Sequence, residues 1–312
     1  MLLFPFVAAM LVSAPLQASS AEPLREADAR VEAVADRIAR AATPWCAGRA
    51  PLAGWVLHHL AEYPASLRAD LIAVYALDQG PGIVAVAPGG AAAAAGLLPG
   101  DTIVAVAGES IEVGALPARE SREPGSRIEA AIDAALARGP TPLTVRRGAE
   151  TRDAVLAAPS ACPTHVRIAR AESENAFADG RYATFSAALV ARTPNDDELA
   201  AIVAHELAHN YLGHFAARRD GRDRRPVRQQ EAEADAFALR LMAAAGYDPH
   251  AAVAFFTRMV AWNPLDAIGI GTHYARGKRL AALHNELERM EATPDKLSWA
   301  GTAVAWPPLV TP

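Results

Sequence analysis

The run His205-Glu206-Leu207-Ala208-His209 constrains this chain more than any other feature. Residues four apart on an α-helix lie roughly 40° apart around its axis, so both imidazoles face one point and can share a metal ion. Glu206 follows the first histidine, close to that point without being a ligand. Residues 195–213 read as the helix, with Asn195 as its cap and Glu198 three residues on in a capping-box arrangement. A third donor must come from elsewhere. A histidine six residues past His209 would serve, but position 215 is Phe, and His214 falls on the opposite face of a continuous helix. Glu231-Ala-Glu-Ala-Asp235 lies 22 residues beyond His209 and opens a second helix running to about Ala244. Glu231 and Asp235 share a face of it and Glu233 points away. Glu231 is then the third ligand. Asp235, one turn on, is a carboxylate placed to accept a hydrogen bond from a ligand imidazole. Two histidines and a glutamate leave the fourth zinc position open, the layout of a catalytic rather than a structural site.

Upstream the pattern is different. Residues 23–42 carry Leu24, Val31, Val34 and Ile38 at helical spacing, with Thr43-Pro44 as the stop. A strand at Trp55–His58 and a helix at 66–77 follow, and His58 and His59 read as packing residues rather than ligands. From Gly82 there is a strand ending in the turn Pro88-Gly-Gly, a short helix at 91–95, and Ala95-Gly96-Leu97-Leu98-Pro99-Gly100-Asp101. Next come a strand at Thr102–Val106, the turn Ala107-Gly108, a helix at 127–138 and strands at 141–146 and 151–156. This order, with its "AGLxxGD" core, resembles the PDZ fold of bacterial envelope proteases, although Ala107-Gly108 stands where "NG" is usual. The resemblance implies strand-addition binding of extended peptides or C-termini.

The pairing of HExxH with ExxAD resembles the HtpX/CAAX-prenyl-protease type of gluzincin, peptidase family M48, over about residues 163–291. Asn175-Ala-Phe-Ala-Asp-Gly180 is similar to the stretch leading into that family's active-site edge strand, expected here near residues 181–189. Ala245-Gly246-Tyr247-Asp248-Pro249, with Phe255 and Phe256 in the next helix, resembles the soluble bacterial members. Thr272-His273-Tyr274 and Arg279 are similar to a "THP…R" element, with Tyr in place of Pro. The resemblance implies one Zn²⁺ per chain on His205, His209 and Glu231, with Glu206 as general base. It makes His273 and Arg279 candidates for stabilising the oxyanion, or His273 for the fourth zinc position. Six arginines and two aspartates in 218–228 read as a solvated loop beside the cleft, or a gate over it.

The first 21 residues carry no charge before Glu22. An apolar core at 2–12 followed by small residues matches a secretory leader, so a signal peptide over 1–20 is expected. Residues 79–100 are also uncharged, but their glycines and prolines exclude a membrane span. In an oxidising compartment Cys46 and Cys162 suggest one disulfide. Export to the periplasm or the medium is the expected location. The 52% hydrophobic fraction is misleading, because about a quarter of all residues are alanine. A net charge of −5 excludes a nucleic-acid footprint.

The expected fold is α+β: a mainly helical gluzincin-type metallopeptidase domain with a small edge sheet, preceded by a PDZ-like β-rich domain. The expected divisions are a helical segment at 21–66, the PDZ-like domain at 67–160, the peptidase at 163–292 and a tail at 293–312. The expected activity is zinc-dependent endopeptidase action on polypeptide substrates of the envelope or exterior. The PDZ-like module is expected to bind a peptide or C-terminus, with no integral membrane segment after leader removal. The alternative is a non-enzymatic, chaperone-like peptide binder with a vestigial zinc site, which the intact Glu206 argues against.

Overall fold

A computed structural model describes residues 22–46, 48–77, 80–170, 173–221, 226–262 and 276–293. The expected leader and C-terminal tail lie almost wholly outside these residues. The first helix, α1 (Glu22–Ala42), buries Leu24, Val31, Val34 and Ile38 as its periodicity predicts. It also buries Asp28, Glu32 and Asp36 on a neighbouring stripe, because it is covered on more than one side.

The chain then passes through β1 (Ala50–Pro51) into β2 (Trp55–His58), a 3-10 turn at Leu60–Glu62 and α2 (Ala65–Tyr75). His59 caps that turn: its Nδ1 accepts from the amide of Ala61, and Glu62 accepts from the amide of His59. Next come β3 (Gly82–Val86), α3 (Ala91–Ala94), β4 (Thr102–Val106), β5 (Glu109–Ser110), α4 (Glu123–Leu136), β6 (Thr141–Arg147) and β7 (Glu150–Leu156). These strands form an antiparallel sheet in the order β2-β3-β4-β6-β7, with β5 on β4. The sheet thus takes in Trp55–His58, from ahead of residue 67. Leu57, Ile83, Leu97, Ile103, Ile132, Leu136, Leu143 and Leu156 fill its own core. The "AGLxxGD" run has a structural reason: buried Asp101 accepts from the amide of Leu98 at 2.9 Å and from Arg147 through both oxygens, at 2.6 and 2.7 Å.

Beyond it, β8 (Ser160–Ala161) pairs with β1, and the Cys46–Cys162 disulfide lies beside that pair. Three strands follow: β9 (His165–Ala169), β10 (Ala176–Ala178) and β11 (Tyr182–Ser186), in the order β10-β11-β9. The strand expected near 181–189 as the edge is therefore the middle one, and the edge belongs to β10. The remaining helices are α5 (Ala187–Ala191), α6 (Asp196–Tyr211), α7 (His214–Arg219), α8 (Val227–Ala245), α9 (His250–Trp262) and α10 (Arg276–Ala292). The architecture is α+β.

A single core joins α1, the three-stranded sheet and the helices α6, α8, α9 and α10. Helix α1 also touches β3, so it forms part of the junction between the two sheets rather than a separate segment. Alanine explains the fit of α6 and α8, which pack against each other. Ala200, Ala201, Ala204 and Ala208 on one and Ala234 and Ala238 on the other are buried, and short side chains let helix axes approach closely. None of the described helices is long and apolar enough to cross a membrane.

Candidate metal centre

Helix α6 starts where Asn195 accepts from the amide of Glu198 at 2.9 Å, with Asp196, Asp197 and Glu198 in the first turn facing the positive end of the helix dipole. Residues 198–208 are buried without interruption, so the helix runs through the core and holds its side chains rigidly. It ends at Gly213, whose φ of +67° is the left-handed conformation that halts a helix. Helix α8 begins after Pro226 and turns Glu231, Ala234, Asp235 and Ala238 onto its buried face. Glu231 therefore sits in its second turn, not at its start.

These two helices bring three donor atoms together. His205 Nε2 and His209 Nε2 are 3.2 Å apart, and the Glu231 carboxylate lies 3.4 Å from the first and 3.5 Å from the second. Ligands about 2.05 Å from a tetrahedral zinc ion stand roughly 3.3 Å from one another, so the spacing of this group fits that ion. No other group of His, Cys, Asp and Glu in the described residues converges in this way.

Behind the donors, His205 Nδ1 lies 2.9 Å from Asp235 Oδ1. Asp235 receives two hydrogen bonds from Arg279, at 2.8 and 2.6 Å, and the Arg279 guanidinium stacks 3.6 Å over the Phe256 ring. Burial alone would raise the Asp235 carboxyl, but Arg279 and His205 hold it well below the ordinary range. Burial opposes a charge on His205; Asp235, Glu231 and Glu206 outweigh it and push the metal-free imidazole up to about 10. Arg279, a candidate for contacting substrate, instead sits buried behind the ligands with both donors on Asp235. His273 lies outside the described residues.

In front of the donors is a cleft of about 330 Å³. His205, Glu206, His209 and Glu231 line its floor; Ala176, Phe177 and Ala178 of β10 form one wall, and Phe215, Arg218 and Val227 another. The wall is tied to the ligand helix, because Asn210 accepts from the amide of Gly180 at 2.8 Å. Arg218 is held by Gln230 at 2.9 Å. Within the arginine-rich segment, residues 222–225 lie outside the described set.

Sequence spacing placed His214 and Glu233 away from the centre, and the structure corrects both. Gly213 ends the first helix, α7 leaves in a new direction, and His214 returns to within 2.9 Å of His209, Nδ1 to Nδ1. Glu233 faces His214 at 3.3 Å. The signal was Gly213 itself, since face counting does not extend across a left-handed residue.

Helix α4 of the PDZ-like unit contacts the sheet that carries the cleft wall. Asp133 of α4 meets His165 and Arg181 at 3.0 and 2.7 Å, and Glu129 accepts from the Tyr182 hydroxyl at 2.5 Å. These partners belong to β9, to β11 and to the turn before β11, the strand beside the cleft wall.

Three family models match the chain: Peptidase family M48 over residues 145–220, Peptidase U49 over 199–300, and PDZ domain over 82–117. The first ends after the His205–His209 helix, and the second takes in Glu231 and Asp235 as well. No curated protein matches the chain.

Proposed function

Because this chain belongs to peptidase family M48, and is a metallopeptidase with a PDZ-like domain, we propose that it is a zinc endopeptidase that cleaves extended polypeptides outside the cytoplasm. The observation that carries the reading is the convergence of His205, His209 and Glu231 at tetrahedral spacing, with Glu206 on the same cleft floor. Bound there, zinc supplies Lewis-acid polarisation of a carbonyl and acidification of water to a pKa of about 7.

The remaining work falls to the chain's own side chains. Glu206 takes a proton from the attacking water and passes it to the departing amine as the carbon–nitrogen bond breaks. Strand β10, the edge beside the cleft, presents its main chain to an extended substrate, which adds as a further strand. Exposed Phe177 and Phe215 at the rim favour an apolar substrate side chain. The carboxylates lining the cleft among the described residues are Glu206 and Glu231. In this reading Glu231 serves the metal and Glu206 the water, and an edge strand that accepts substrate along its length favours internal cleavage. A cystine supports an oxidising location, periplasmic or secreted. The PDZ-like module binds or positions polypeptide, or tunes the cleft wall through the Asp133 and Glu129 contacts.

Glu206→Gln is the test. It should lower cleavage of an unfolded protein by about 10²–10⁴-fold while the protein still carries about one zinc per chain. Cleavage at wild-type rate in that variant would overturn the reading.

A further inference from the structure

We propose that His214 and Glu233 are a second positioning arm of the metal centre, acting on His209 as Asp235 and Arg279 act on His205. The inference rests on the zinc reading above and deepens it. His209 turns Nε2 toward Glu231 and His205, which leaves Nδ1 as its outward nitrogen. That nitrogen meets His214 Nδ1 at 2.9 Å, with the rings edge to face at 5.0 Å between centroids. His214 is buried, and its other nitrogen, Nε2, lies 3.3 Å from Glu233 Oε2.

Proton placement along this chain has one solution. A neutral His209 that offers the Nε2 lone pair to a metal carries its hydrogen on Nδ1. That hydrogen is donated to His214 Nδ1, which must therefore be the acceptor nitrogen. Neutral His214 then carries its own hydrogen on Nε2, pointing at the Glu233 carboxylate. Each imidazole is thereby held in a single tautomer and a single ring orientation, and partners of this kind raise the basicity of a ligand. The two arms differ in construction. The first ends in a buried ion pair on α8 and α10. The second runs to Glu233, whose side chain is 16% exposed, and passes through a residue that also lines the cleft. Three elements converge to make it: α6 supplies His209, the Gly213 turn returns His214, and α8 supplies Glu233.

The experiment compares zinc affinity by chelator competition, and the visible absorption of the cobalt-substituted protein, across four variants. His205→Ala, read first with the wild type, tests the parent reading: a wild type that takes up neither metal, or a His205→Ala protein that binds as tightly, overturns the zinc site itself. Given normal loading, His214→Leu should weaken zinc by about 10–100-fold and alter the cobalt spectrum. His214→Asn, whose amide oxygen stands where Nδ1 does and so keeps an acceptor for His209, should recover to within about threefold. If His214→Leu loses its fold, judged by melting of the metal-free protein, Glu233→Ala decides. It should weaken zinc several-fold and shift the cobalt spectrum in the same sense. Zinc affinity within twofold of wild type and an unchanged cobalt spectrum in the decisive variant would overturn the arm while leaving the metal site intact.

Discussion

His205 Nδ1 and Asp235 Oδ1 stand 2.9 Å apart, a contact between two buried groups that joins the motif helix to the helix carrying the third donor. The carboxylate is ionised because Arg279 grips both of its oxygens, and the imidazole is aimed because the carboxylate is fixed. Orientation of the donor thus depends on Arg279, 44 positions beyond Asp235 in the chain.

Asp235→Asn keeps the shape and one acceptor oxygen but removes the charge. Zinc affinity should fall by about 10–100-fold, read by chelator competition, with secondary structure retained. Arg279→Leu is the more damaging change, because it strands a buried carboxylate. A loss of about 3–5 kcal/mol in unfolding free energy is expected, measured by urea denaturation of the metal-free protein. An Arg279→Leu protein as stable as the wild type would show that Arg279 does not hold Asp235.

The convergence of His205, His209 and Glu231 is legible in the sequence because its determinants are local. His205 and His209 are one turn apart, Glu231 and Asp235 likewise, and two helix periods bring them to matching faces. What escaped depends on chain reversals and distant partners. His214 was misplaced because Gly213 resets the helix direction. The cleft wall was assigned to β11 because three residues, Ala176–Ala178, carry no periodicity of their own. Arg279 was placed in the cleft because nothing near it in the chain announces Asp235. Trp55–His58 was recognised as a strand, but its membership in the larger sheet is set by pairing with β3 across a 3-10 turn and a helix.

The β4–β5 turn carries a correctable strain. Ala107 has φ +53° and Gly108 φ +83°, so both residues of the turn are left-handed. Glycine adopts this conformation freely and asparagine with little cost, whereas alanine meets its own carbonyl. Ala107→Asn should stabilise the protein by about 0.5–1 kcal/mol, seen as a higher urea midpoint with an unchanged slope. A lower midpoint would refute the turn assignment.

Glu32 makes stability depend on pH. Burial, reinforced by Asp36, Glu129 and Asp28 and opposed by Arg40, pushes its carboxyl well above the ordinary value of 4.5. In the unfolded chain the proton leaves near that ordinary value; in the folded chain it is kept to higher pH. Stability is therefore full below about pH 4.5 and falls as pH rises from there toward the folded-state pKa. Glu32→Gln removes the ionisation, so it should raise stability at pH 7 and make no difference at pH 4. Melting curves at the two pH values measure it, and a destabilised variant at pH 7 would contradict the sign.

The Cys46–Cys162 disulfide closes a loop of 116 residues in sequence separation, with Cα atoms 5.7 Å apart. The chain leaves for the PDZ-like sheet just after Cys46 and returns just before Cys162. At this neck, Ala50 pairs with Ala161, Pro51 with Ser160, and the amide of Leu52 donates to Pro159 at 2.9 Å. The folded protein therefore already holds the two ends together, and the covalent bond acts chiefly on the unfolded chain by denying it expanded states. In the chain-entropy model a loop of this length is worth about 4–5 kcal/mol. The double variant Cys46→Ser/Cys162→Ser should keep its fold and its zinc while losing about 3–5 kcal/mol. Its urea slope should rise as well, because the released unfolded chain exposes more surface. An unchanged midpoint and slope would mean that the neck contacts persist after unfolding, and that the bond stabilises little beyond what they already hold.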